Sequence, residues 1–174
     1  MSSAILQGGA SGTGSMTVLA PNTNSNQIVT IPDATGTVMV SGNMPAFSAY
    51  PSTNQAVTSA WTKVVLDSEE FDTNNNFASS RFTPTIAGYY SIIGVTSLTG
   101  TTARTQTAIY KNGSVFKYGS DIVYASSLGS SATALIYMNG STDYLELYIW
   151  NGNSTSVASG ATLTYFQGEM VRSA

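Results

Sequence analysis

Phe82-Thr-Pro-Thr-Ile-Ala-Gly88-Tyr89-Tyr90-Ser-Ile92 is the stretch on which the reading of the fold turns. It places a core aromatic on a short strand, turns the chain at Pro84 and Gly88, and then starts a long strand rich in aromatic and β-branched residues. Outward from it, the chain from Ala46 onward repeats this grammar: β-prone runs separated by turn residues, with no helical period. About ten strands are expected, among them Ala46–Tyr50, Trp61–Leu66, Tyr89–Ser97, Thr105–Lys111, Ser114–Tyr118, Ile122–Ala125, Thr133–Met138, Tyr144–Trp150 and Leu163–Val171. Asn-Gly pairs at Asn112-Gly113, Asn139-Gly140 and Asn151-Gly152 each follow a strand-like run and predict tight hairpin turns. The fold class that follows is all-β, an antiparallel sandwich.

Tyr144-Leu-Glu-Leu-Tyr-Ile-Trp150 shows what such a strand asks of its surroundings. Leu145, Leu147 and Ile149 share one face and read as sandwich core. Tyr144, Glu146, Tyr148 and Trp150 share the other, and Tyr89-Tyr-Ser-Ile-Ile-Gly-Val95 repeats the two-faced character. Neighbouring subunits or a closed-up monomeric barrel would cover the second face.

Composition removes most enzyme designs. The chain has no histidine and no cysteine, so the neutral-pH proton shuttle, the thiol nucleophile and the imidazole or thiolate metal ligands are missing. Charged residues are so sparse, 9% of the chain, that solubility must come from Ser, Thr, Asn and Gly, as on extracellular or particle surfaces. A net charge of -3 and six scattered basic residues form no cationic stripe, which argues against nucleic acid. No run approaches a membrane span, and the N-terminus has neither the charge nor the apolar run of a secretory signal, so synthesis in a host cytoplasm is expected.

Residues 1–45 contain no Phe, Tyr or Trp and read as an extended attachment arm; residues 46–174 read as the head. Alone, the arm buries too little apolar area to offset roughly 1–2 kcal/mol of backbone entropy per residue. Short strands are expected at Met16–Ala20 and Ile28–Ile31, punctuated by Pro21 and by Pro32-Asp-Ala-Thr-Gly36 before Thr37–Val40. Some 40 extended residues reach on the order of 130 Å, which suits tethering. Met16, Val18, Leu19, Ile28, Ile31 and Val38 are the apolar side chains expected to dock it. From Thr17 to Val40 the segment resembles the stem segments of phage fibre and head-decoration proteins.

The head, in turn, resembles the complement globular-head (C-one-q) and tumour-necrosis-factor jelly-roll superfamily over most of Ala46 to Arg172. The matching pieces are Ala46-Phe-Ser-Ala49, Val64-Val-Leu66 with Phe71-Asp72, Phe82 through Tyr90, Ile109-Tyr-Lys-Asn-Gly113, Ala134 through Leu147 and Thr164-Tyr-Phe-Gln-Gly168. The resemblance implies a ten-stranded jelly roll assembling as a three-fold homotrimer. Tyr89, Tyr144, Tyr148, Trp150 and Phe166 are the expected interface. The chain departs from the pattern where Gly-Asp is spread to Gly140-Ser-Thr-Asp143 and where no collagen-like stalk precedes the head.

Candidate sites are few. Asp67, Glu69, Glu70 and Asp72 are the one dense carboxylate group and could hold calcium, but they lack an EF-hand spacing and read first as a solvated acidic loop. Glycines 8, 9, 12 and 14 lack the Lys-Ser or Lys-Thr of a phosphate loop, and no serine has a histidine base. Tyr118, Tyr124 and Trp150 could stack on sugar rings, with packing the favoured reading. Sequons at Asn112, Asn139 and Asn153 read as turns. The expectation is therefore a non-enzymatic virion-surface protein without a cofactor: a capsid decoration, cement or head-fibre protein bound to the major capsid protein or another shell protein. The rival is a tail-fibre tip that recognises host surface glycans.

Overall fold

The computed structural model describes residues 3–7, 11–19, 22, 24–26, 28, 33, 38–100, 103–123 and 129–174. The chain forms two compact units, Met1–Gly36 and Thr37–Ala174. In the first, β1 (Ser3–Gln7) pairs antiparallel with β2 (Ser15–Leu19), Ser3 opposite Leu19 and Gln7 opposite Ser15. The expected strand at Met16–Ala20 is thus present as β2, while β1 has no forerunner in the sequence reading. The expected strand at Ile28–Ile31 lies largely outside the described residues.

The second unit begins with residues that the sequence reading counts with the arm. Met39 packs against the hydrophobic core, Asn43 accepts the Val40 N–H at 2.7 Å, and Asn74 donates to the Gly42 carbonyl. Then follow β3 (Ala46–Tyr50), β4 (Gln55–Val57), β5 (Thr62–Lys63), β6 (Ser68–Asp72), β7 (Phe77–Ala78), β8 (Arg81–Phe82), β9 (Gly88–Ser97) and β10 (Arg104–Lys111). The remaining strands are β11 (Ser114–Val123), β12 (Gly129–Met138), β13 (Leu145–Asn151), β14 (Thr155–Val157) and β15 (Tyr165–Ser173).

One sheet runs β12-β9-β15-β3-β6 and the other β11-β10-β13-β8-β7, with β5 joined to β13 and the β4–β14 pair separate. Every pairing is antiparallel. Between the two main sheets the chain crosses before and after β6, after β8, β9, β11 and β12, and by way of the β4–β14 pair after β3 and after β13, and that alternation makes the sandwich a jelly roll.

The stretch that opens the sequence reading sits at the centre. Phe82 stacks on Phe47 with ring centroids 4.2 Å apart and meets Tyr90 edge-on at 5.6 Å. All three rings, with Leu145, Leu147 and Ile149, are buried. At another part of the core the two sheets meet through hydroxyls: Thr96 and Thr107 share a 2.6 Å hydrogen bond, and Ser130 Oγ accepts the Thr107 N–H at 3.0 Å. Thr107 sits at a register shift between β10 and β11, so the serine satisfies a donor that the ladder leaves unmatched.

Several expectations need correction. Phe166 is fully buried, edge-on to Phe47 at 5.3 Å, and so belongs to the protomer's own core instead of a surface open to a second copy. Of Trp61–Leu66 only Thr62–Lys63 is strand, because the N–H groups of Val65 and Leu66 are taken by Gln55 Oε1 and Ser80 Oγ instead of a neighbouring strand. Ser114–Tyr118 and Ile122–Ala125 are one strand, β11, which continues through Gly119; Ala125 lies outside the described residues. Only Asn112-Gly113 closes a two-residue hairpin, with φ of 53° and 78° at its two residues. Asn139-Gly140 and Asn151-Gly152 instead end strands whose successors lie in other sheets. Among the described residues no helix is long and apolar enough to cross a membrane.

Candidate functional site

Alternation along β13 sends Leu145, Leu147 and Ile149 into the core and leaves Tyr144, Glu146, Tyr148 and Trp150 on the outward face. On β10 the same rule brings out Arg104, Gln106 and Tyr110, with Gln106 opposite Trp150 and Tyr110 opposite Glu146. The face carries aromatic rings and charged groups from five strands, β5, β8, β10, β11 and β13, and from the segment before β5.

Its first half is locked. Glu146 is almost wholly buried, yet its Oε1 accepts from Lys63 Nζ at 2.8 Å and Arg81 Nη2 at 2.9 Å, so two cations share one carboxylate. Lys63 also donates to the Ser79 carbonyl, and the Arg81 guanidinium lies 3.6 Å from the centre of the Tyr144 ring. Tyr148 stacks on Tyr110 at 3.8 Å, and burial pushes both hydroxyls above their ordinary range. These groups hold one another in place.

Its second half is open. Trp61, Arg104, Gln106, Tyr118 and Trp150 line a recess of about 400 Å³. Trp61 leans on Tyr118 at 5.5 Å, and Tyr118 remains 58% exposed, which rules out core packing for this residue. Arg104 forms a two-pronged ion pair with Asp121, Nε to Oδ1 at 2.7 Å, and this pairing holds the Asp121 carboxyl below its usual range. What this half offers is ring faces and fixed donors and acceptors, the means of recognition.

The opposite sheet presents a different outward face. Tyr89 and Tyr137 sit side by side at 5.5 Å across β9 and β12, and Leu135, Phe71 and Val171 are also substantially exposed. A shallower recess of about 210 Å³ opens there among Ala46, Phe71, Ser91, Ile93, Gln167 and Glu169.

The residues expected at a trimer interface thus fall in three places: Tyr144, Tyr148 and Trp150 on one face, Tyr89 on the other, and Phe166 in the core. Among the docking candidates, Val18, Leu19, Ile28 and Val38 are exposed; Val38 belongs to the second unit, Ile31 lies outside the described residues, and so does the side chain of Met16. Tyr124 is also outside them.

The acidic group is taken up locally. Asp67 accepts the Ser52 hydroxyl and N–H, both at 2.7 Å, which lowers its pKa; Glu70 accepts the Ser48 hydroxyl; Asp72 accepts the N–H groups of Asn74 and Phe77. Among the described residues no three acidic side chains gather as metal ligands. Trp61, Tyr110, Leu135 and Tyr137 escaped the sequence reading because the signal they carry, alternation, only says which face they take, not what they meet.

The strand order defines a jelly-roll fold of the tumour-necrosis-factor and C1q type. Solved structures with this fold include the Eiger TNF of S. frugiperda (TM-score 0.58, 7% identity, 75% of this chain and 93% of that one). The globular domain of zebrafish complement 1qA is similar at TM-score 0.55 and 16% identity, covering 75% of this chain and 99% of that one. The PRD1 vertex protein P5 is similar at TM-score 0.56 and 17% identity, covering 74% and 97%. At such identities the likeness is one of fold. No protein-family model matches the chain, and no curated protein matches it by sequence.

Proposed function

We propose that this chain is a virion structural protein, a capsid decoration, cement or head-fibre protein whose first unit, residues 1–36, docks on a shell protein and whose jelly-roll head projects as a homotrimer. The observation that carries the reading is the outward face of β12-β9-β15-β3-β6. Tyr89, Tyr137, Leu135, Phe71 and Val171 stand exposed on a jelly roll similar to a virion vertex protein, and an apolar sheet face of this kind is a natural contact between copies. A stable contact needs about 800 Å² per partner, within the reach of a five-stranded sheet. The aromatic face of the other sheet is already knit together within the protomer, so the Tyr89 side is the better interface. The alternation of short strands and prolines in the arm supports tethering, and three copies would give three-point attachment.

A second reading, a tail-fibre tip that holds host glycans, draws support from the recess beside Trp61 and Trp150. Gold-labelled antibody against the head, applied to intact virions, separates the two. Label over the capsid is the expected result; label confined to the tail tip reverses the ranking; particles without label overturn both.

A further inference from the structure

We infer that the recess between Trp61 and Trp150 is a binding site for a neutral saccharide, carried by each protomer on the face turned away from the proposed trimer contact. The chain has only two tryptophans, and both line this one recess of about 400 Å³, a size typical of small-ligand sites. Tyr118 forms a third ring at its edge. Ring faces carry negative quadrupole charge that attracts the polarised C–H groups of a pyranose.

Between the rings stand planar hydrogen-bonding groups. Gln106 faces Trp150 across the β10–β13 ladder, and its Nε2 makes a long 3.4 Å bond to the Gly119 carbonyl. Arg104 is fixed from behind by its two-pronged pair with Asp121, so its remaining guanidinium N–H groups stand as rigid donors for a sugar hydroxyl beside the Gln106 amide. The pair is electrically neutral, and Arg104 is the one cation lining the recess. Because Asp121 already neutralises that guanidinium, the lining offers a sulfated or sialylated ligand no uncompensated cation. A protein side chain seeking an apolar anchor would also meet an amide and an ion pair where it needs a dry wall. The alternation of rings with polar forks is the complement of a sugar, with its apolar ring faces and equatorial hydroxyls.

The site lies within one protomer, so the inference is independent of the trimer and of the position on the particle. Its test uses the full-length protein and its own tryptophan fluorescence. Neutral bacterial surface polysaccharides, as purified O-antigen repeats, are titrated in, with a sulfated and a sialylated oligosaccharide as anionic controls. The expected result is a saturable fluorescence shift with at least one neutral glycan and none with the anionic ones. Trp150→Ala and Gln106→Ala should each weaken binding at least tenfold, read for the first by Trp61 fluorescence and by calorimetry for both, with circular dichroism and solution mass unchanged. Tyr110→Phe, outside the recess, should leave binding intact. The proposal is overturned by silence across the neutral panel, by anionic glycans binding instead, by undiminished binding in Trp150→Ala, or by a changed solution mass in that variant, which would mark the face as a subunit contact.

Discussion

Glu146 is the residue whose environment is most unlike what a surface strand normally supplies. A carboxylate with 4% of its side chain exposed serves Lys63 and Arg81, which are themselves 31% and 41% exposed. Because both cations keep water on one side, Glu146→Gln should cost on the order of 1–3 kcal/mol, less than a fully buried pair would, and thermal melting should show the loss. Tyr90 gives a pH signature. Burial raises its hydroxyl pKa to about 12 from an ordinary 10.0, and the hydroxyl donates to the Ile86 carbonyl at 2.7 Å. The folded state therefore keeps the proton that the unfolded chain loses first. The stabilisation is whole below pH 10 and drains away between pH 10 and about 12. Tyr90→Phe should flatten part of the alkaline fall in stability, leaving the contributions of Tyr110 and Tyr148, which run in the same direction; urea midpoints measured from pH 8 to 11 would show it, and an unchanged alkaline slope would refute it. Neither environment could be read from the sequence. Glu146 announces its face by alternation, but the cations that meet it come from 83 and 65 residues away in the chain.

At the scale of elements, the sequence disclosed most where one strand buries one face. Gly88–Ser97, Arg104–Lys111 and Leu145–Asn151 match their expected runs within a residue or two. The misses have physical causes. Ser68–Asp72 carries Glu69, Glu70 and Phe71 all exposed, so no apolar period marks it as a strand at the sheet edge. The short strands Gln55–Val57 and Thr155–Val157 owe their existence to each other, a pairing between segments a hundred residues apart. Gly119 falls between the two expected strands Ser114–Tyr118 and Ile122–Ala125, yet β11 runs through it, and the missing side chain lets the backbone of β12 pass close by. A Cβ there would overlap the Ser131 carbonyl and stand 2.7 Å from Ala132. Gly119→Val should therefore force β11 away from β12 and cost roughly 2–4 kcal/mol, somewhat above ordinary overpacking because the obstacle is backbone. A denaturation midpoint equal to that of the parent would show that the edge is loose enough to yield.

For the whole molecule, the head has the tumour-necrosis-factor and C1q type of jelly-roll fold, and its resemblance was legible because Phe82 through Tyr90 places core rings and turns at a fixed spacing. Which face would meet other copies in the proposed trimer is not legible in the sequence, since β9 and β13 both alternate aromatic and aliphatic residues; the pairing of Arg81, Tyr144, Tyr148 and Tyr110 within one protomer is what favours the Tyr89 face in the proposal. Trimerisation through the Tyr89 face predicts a solution mass of three 18.2-kDa chains, reduced to one by Leu135→Glu, because a buried unpaired carboxylate opposes the contact. Light scattering would show it, and a trimer undisturbed by that change would move the interface elsewhere. The central claim, an arm that docks and a head that projects, is tested most directly by adding purified protein to virions lacking it and counting the copies retained. Full-length chain should bind at saturating stoichiometry, while the head without residues 1–36, cut at the boundary between the two units, should stay folded and trimeric but fail to bind. Retention of the truncated head at the full-length level would contradict the account.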